Sequence, residues 1–147
     1  MAVHIQSTPF DPGKLHSEFL TLPATTGAVV TFTGCVRDTE GDLRHLEIEH
    51  YPGMTQKAIE AIEKTAMTRW KLDAVLIVHR HGRLKVGEPI MMVATASPHR
   101  VAAFEAAEYL MDYLKSRAPF WKKEVVASGE AWVGAEESDE TALDRWS

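Results

Sequence analysis

Two apolar, β-branched runs, residues 74–78 (AVLIV) and 90–96 (IMMVATA), are separated by a short stretch that carries a Gly-bounded turn and no helical pattern. Parallel neighbours need a crossover of roughly a dozen or more residues, usually a helix. Other strand-like runs are joined just as tightly. Residues 27–36 (GAVVTFTGCV) lead through the turn TEGD at 39–42 into a return strand at 43–51, and 121–126 lead round Gly129 into 130–133. Connections this short exclude a doubly wound parallel sheet and predict an α+β fold with a mixed, mainly antiparallel sheet. Within the first of these strands Gly34 marks a bulge or a close backbone approach.

Helical signals fill the remaining stretches. Asp11-Pro12 forms an N-cap and first-turn pair for one short helix, preceded by a short strand at 3–6. Residues 54–70 place Ala58, Ile62, Ala66 and Trp70 on one stripe. The longest helix, residues 99–116, is opened by Ser97 as N-cap and Pro98 as first residue. It turns Phe104, Ala107, Met111 and Leu114 inward and ends before Pro119, which disfavours helical geometry at Ala118. The prediction is two long helices and one short one.

At 147 residues the chain fits a single domain, read as residues 1–135, with an acidic tail at 136–147. Its composition, 45% hydrophobic and 25% charged, excludes disorder and fibre. Sixteen basic residues against 21 acidic ones argue against a general nucleic-acid binder. The tail holds Glu136, Glu137, Asp139, Glu140 and Asp144 against Arg145 alone, so the body is nearly neutral and its basic clusters can still draw an anion. The tail itself reads as solvated and frayed until something ties it down. One cysteine forms no internal disulfide, and neither a leader pattern nor an apolar run near the roughly 18 residues of a membrane span is present. The expectation is a cytoplasmic protein.

Three groups of charges break local rules. The first turn of the longest helix holds His99 and Arg100, where the helix dipole favours acids. Free N–H groups, an imidazole and a guanidinium suit a phosphate or carboxylate, while pairing of Arg100 with a surface carboxylate explains the same residues without a ligand. Lys115, Arg117, Lys122 and Lys123 straddle Pro119. The first two suit a helix C-terminus, but consecutive strand residues point to opposite faces, so one of Lys122 and Lys123 faces inward. Trp121 and Phe120 supply an apolar wall able to desolvate it and lower its pKa. Arg37 ends an otherwise apolar strand, as an anion contact or simply as an exposed strand-end arginine; Cys35 before it is a nucleophile or a buried packing residue, and the lack of a neighbouring base favours packing. His79 and His81 share a strand face, but a third ligand is lacking and Arg80 and Arg83 oppose a cation, so no metal is expected.

Gly34-Cys35-Val36-Arg37, LEIEHYPGM at 46–54, HRHGRLKVGE at 79–88, SPHRVAAF at 97–104 and LKSRAPFWKKE at 114–124 together resemble the large, catalytic subunit family of molybdopterin synthase. Five segments in one order make the resemblance specific. It implies an α/β-hammerhead type of fold and a sulfurtransferase of molybdenum cofactor biosynthesis. Members install the dithiolene of molybdopterin on cyclic pyranopterin monophosphate. The sulfur comes from the C-terminal Gly-Gly thiocarboxylate of a small ubiquitin-like subunit, and the large subunit is the homodimeric core of a heterotetramer. The resemblance puts the essential lysines at Lys115 and Lys122, and substrate contacts at Cys35, Val36, Arg37, His99, Arg100, Lys123 and Glu124 as well. It implies no metal or other cofactor on this subunit. Members often carry an arginine near the start of the tail that reaches the neighbouring subunit's pocket. Here Gly134-Ala135-Glu136-Glu137 stand there, so that contact is expected to be absent or supplied by another residue.

The chemistry needs such residues, because a cyclic phosphate and a thiocarboxylate are both anions and only fixed cations bring them together. A non-catalytic pterin or anion carrier, or a docking module for a ubiquitin-like protein, would show a similar cationic cleft. A basic groove for RNA is opposed by the net charge.

Overall fold

The computed structural model describes residues 2–134 and 137–147, with the Glu137 side chain left aside. Eight strands form two four-stranded sheets. In the first, the order is β1 (Ala2–Gln6), β4 (Ala74–Arg80), β6 (Pro89–Ser97), β2 (Ala28–Cys35); in the second, β5 (Gly82–Leu84), β3 (Leu43–His50), β7 (Phe120–Val126), β8 (Gly129–Val133). Only β1 with β4 is a parallel pairing among the described strands. The α+β expectation holds, and the short 74–96 connection does join antiparallel neighbours.

The return strand expected after the 39–42 turn does not return. β2 pairs with β6, whereas β3 pairs with β5 and β7 in the other sheet. The chain changes sheets at Val36, whose amide donates to the Glu88 carbonyl (2.9 Å) and whose carbonyl accepts from Gly87 (2.7 Å). The register slips at Gly34/Cys35, the bulge the glycine announced.

β4 and β6 read as unbroken apolar runs because both their faces are covered. Val75, Ile77, Met91 and Val93 pack beneath α2 (Met54–Trp70) and α3 (Arg100–Ser116), against Ile59, Ala66, Ala106, Leu110 and Leu114. Leu76, Val78, Met92 and Ala94 meet Phe10, Leu15 and Phe19 of the opposite layer, which includes α1 (Pro12–Phe19). Asp11 caps α1 as expected, accepting from the Lys14 amide at 3.2 Å. A smaller core, Val36, Leu46, Ile48 and Leu84, lies on the second sheet.

Two details of α3 depart from expectation. Ser97 is the buried last residue of β6, its hydroxyl donating to the His99 carbonyl, and His99 stands at the N-cap instead with no side-chain bond. Gly27 explains the shift. A Cβ there would lie 2.4 Å from the Pro98 carbonyl oxygen, and the Gly27 amide donates to the Ser97 carbonyl, so the chain entering β2 packs against this segment and holds Ser97 in β6. Phe104 is 61% exposed; the buried stripe is Ala103, Ala106, Ala107, Leu110 and Leu114, one small-residue step round the helix.

The tail is tied down. Its helix α4 (Glu137–Ala142) and a following 3-10 turn (Leu143–Trp146) lie on α3. Arg117 pairs with Glu140 at 2.9 Å, Arg145 with Asp112 at 3.1 Å, and the Trp146 indole donates to Asp112 at 2.6 Å. Trp146 also meets Trp70 and Tyr109 edge-on, with Arg69 over the ring. Ala135 and Glu136, on which the expectation about a cross-subunit contact falls, lie outside the described residues.

Candidate active site

The site is made by a sharp exit from α3. Arg117 and Ala118 both donate to the Tyr113 carbonyl, at 2.7 and 3.2 Å, which closes the helix. Pro119 forces extended chain, its carbonyl held by the Thr55 hydroxyl at 3.3 Å. β7 begins at once with Phe120, so Lys115 on the last helical turn and Lys122 on the new strand come to line the same cavities.

Alternation along β7 decides which lysine enters. Phe120, Lys122 and Glu124 share one face, and Trp121 and Lys123 the other. A cavity of about 110 Å³ is lined by Lys115, Lys122, Cys35, His79, Met111 and Phe120, among others; Cys35 is exposed, not packed in the core as expected, because it stands at the end of β2 where the register slips. A second, of about 180 Å³, shares Lys115, Ala118, Phe120 and Lys122 and continues to Val133, Gly134 and Asp139 of the tail. The apolar wall beside Lys122 is thus Phe120; Trp121 stands on the far face against Tyr51. Burial, with Lys115 close by, pushes the Lys122 amine down to about 8. Among the described residues no ion pair closes on the Lys122 ammonium, although Asp139 of the tail attracts it from the wall of the second cavity, so the ammonium can take a guest.

Arg37 and Glu124 line a separate cavity of about 310 Å³ with Asp38, Glu40 and Asp42. None of its lining residues is shared with the two lysine cavities, and four carboxylates face one guanidinium there, so the structure does not bring Arg37 and Glu124 to the lysines as expected.

Other expected contacts are placed elsewhere. Val36 points into the smaller core with both backbone groups engaged, so it offers a ligand neither side chain nor amide. Lys123 is held by Glu47 at 3.1 Å and Glu130 at 3.6 Å, with Trp132 beneath it, on the face away from the cavity. His99 and Arg100 are exposed at the start of α3. That helix has 17 residues, which at about 1.5 Å each puts its ends roughly 24 Å apart. One chain does not join them to the lysines.

His79 and His81 also separate. His79 lies buried against Phe120, ring centroids 3.7 Å apart, and His81 lies against His50 at 4.3 Å. Burial pushes the His79 imidazole down to about 3, against the hydrogen bond to its backbone neighbour. Phe120 is the wall residue the sequence announced; Phe32, Met111, His79 and Asp139 were not expected in the cavity walls. The one available signal was a histidine interrupting the buried row Val75, Ile77.

The chain has relatives. The family model described as MoaE protein matches residues 5–117. A Cereibacter sphaeroides protein named molybdopterin synthase catalytic subunit is 60% identical over 146 residues, covering 99% of this chain and all of the relative. The solved molybdopterin biosynthesis MoaE protein of Burkholderia ambifaria superposes with a TM-score of 0.80 at 48% identity, covering 99% of this chain and 98% of that one. The structure of molybdopterin synthase from Staphylococcus aureus gives 0.81 at 36% identity over 89% of this chain and 96% of that one. A match of this extent in sequence and in fold makes the chain a member of the MoaE family of molybdopterin synthase catalytic subunits.

Proposed function

We infer that this chain moves sulfur from the C-terminal thiocarboxylate of a small ubiquitin-like subunit onto cyclic pyranopterin monophosphate, forming the molybdopterin dithiolene. The observation that carries the reading is the meeting of Lys115 and Lys122 on two adjoining cavities, neither lysine held by an ion pair among the described residues. The inner cavity receives the pterin. The outer one, open past Gly134, admits a slender Gly-Gly terminus.

Both reactants are anions, and the two ammonium groups draw them together in a partly desolvated site where charge acts strongly. With its amine near 8, Lys122 also gives and regains a proton in the working range, as opening the cyclic phosphate and expelling oxygen require. Lys122 acts nearest the thiocarboxylate and Lys115 nearest the pterin. Because the partner supplies the sulfur, Cys35 is a wall and not a nucleophile, and no metal or further cofactor is needed on this subunit.

The homodimer is part of the reading. Phe32, Val101 and Phe104 leave an apolar strip exposed along β2 and α3, and a second copy is what can unite His99 and Arg100 with a lysine cavity. Among the described residues no helix is long and apolar enough to cross a membrane. We place the protein in the cytoplasm, in keeping with its single unpaired cysteine.

The test is incubation with a thiocarboxylated ubiquitin-like partner and the cyclic pterin phosphate, scoring dithiolene by mass spectrometry. Turnover is expected, and Lys115→Ala or Lys122→Ala lowers it about 10²- to 10⁴-fold while partner binding changes little. Equal losses of binding and turnover would make the chain a docking module instead.

A further inference from the structure

The lysine cavity is rich in donors and poor in acceptors. Its ammonium groups only donate, and most of its remaining wall is apolar, with a thiol at Cys35. His79 is the exception. In β4 the row Val75, Ile77, His79 runs beneath the helices. The first two positions are core, and the third gives a histidine only 4% exposed that still forms part of the cavity wall.

Two contacts fix that ring. Its Nδ1 lies 2.8 Å from the Arg80 carbonyl oxygen, which only accepts, so Nδ1 carries the hydrogen. Its face lies on Phe120 at an interplanar angle of 13°. An uncharged imidazole with hydrogen on Nδ1 has its lone pair on Nε2, at the ring edge away from the Arg80 bond. Burial and the two neighbouring lysines keep the ring uncharged throughout the working range.

We propose that His79 is a specificity-determining residue of this site, its Nε2 accepting a hydrogen bond from an N–H or O–H group of the substrate seated between Lys115 and Lys122. The proposal rests on the function inferred above. Two lysines select for negative charge of any kind, inorganic phosphate included. An acceptor that stays unprotonated selects for a neutral donor, which a pterin ring and its hydroxylated side chain carry.

Calorimetry of wild type, His79→Phe and His79→Gln with cyclic pyranopterin monophosphate, and separately with inorganic phosphate, tests this. His79→Phe keeps a ring on Phe120 and is expected to raise Kd and KM for the pterin roughly ten- to hundredfold, with phosphate binding unchanged. His79→Gln, whose amide oxygen accepts, recovers most of the loss and keeps the wild-type pH profile between 6 and 8. In ¹⁵N-histidine spectra of the wild type, which need no variant to fold, the His79 Nε2 resonance shifts on adding pterin and not on adding phosphate. Pterin binding by His79→Phe equal to wild type, equal losses for pterin and phosphate, or an unmoved Nε2 resonance on pterin binding would each overturn the proposal. A wild type that neither binds nor converts the pterin would instead overturn the functional reading beneath it.

Discussion

Lys122→Met takes the ammonium out of the cavity wall and leaves an unbranched chain of similar reach. Folding lowers the Lys122 amine from 10.5 to about 8, chiefly by burial and then by the charge of Lys115. At about 1.4 kcal/mol per pKa unit the gap sets a ceiling of about 3 kcal/mol on the cost of keeping this charge, and residual solvation reduces it to about 1–2 kcal/mol. Between pH 8 and 10.5 the unfolded chain binds more protons than the folded one, so wild-type stability rises with pH across that window. Below pH 8 the whole penalty is present; above 10.5 it is gone. Urea unfolding followed by tryptophan fluorescence at a series of pH values from 7 to 10 is expected to show Lys122→Met more stable than wild type at neutral pH. The margin then closes as pH rises, while sulfur transfer falls at least a hundredfold at every pH. A margin independent of pH, or a less stable variant at pH 7, would refute the claim that the site holds its cation against the fold.

Gly27→Ala forces a Cβ against the Pro98 carbonyl oxygen, a backbone atom that cannot swing away; a loss of about 1–3 kcal/mol is expected in chemical unfolding. Trp146→Ala removes the indole that meets Trp70, Tyr109 and Asp112, so the tail is expected to become a site of rapid limited proteolysis at a cost of about 2 kcal/mol, with β-sheet content unchanged. Glu63, buried with its Oε2 unpartnered, is pushed by burial up to about 6. Folding therefore penalises its charged form fully above pH 6 and not at all below 4.5. Glu63→Gln is expected to raise the melting temperature at pH 7, by about 1 kcal/mol in stability, with the gain fading as pH falls through 6; an undiminished gain at pH 4.5 would count against it.

Local rules were legible wherever the cause was local. Asp11-Pro12 marked the start of α1, Gly34 a bulge, Pro119 the end of α3, and strand alternation the division of labour between Lys122 and Lys123. Ser97 misled because its cap is overruled by Gly27, remote in sequence, whose amide takes the Ser97 carbonyl and keeps that residue in β6. Phe104 misled because two offset apolar stripes run along α3, and only the sheet beneath decides which is inner.

By itself the sequence determined three helices, most of the strands, the antiparallel bias and the pair of lysines flanking a forced turn, since each follows from backbone geometry over a few residues; the short strand β5 and the tail helix α4 were not expected. The tertiary structure decided that the strands divide into two sheets, that Arg37 and Glu124 line a hollow separate from the lysine cavities, that the acidic tail docks on α3, and that His79 stands at the cavity wall. Those outcomes depend on what lies opposite a given face. Periodicity says which residues share a face, but the partner of that face is set by packing between segments far apart in the chain.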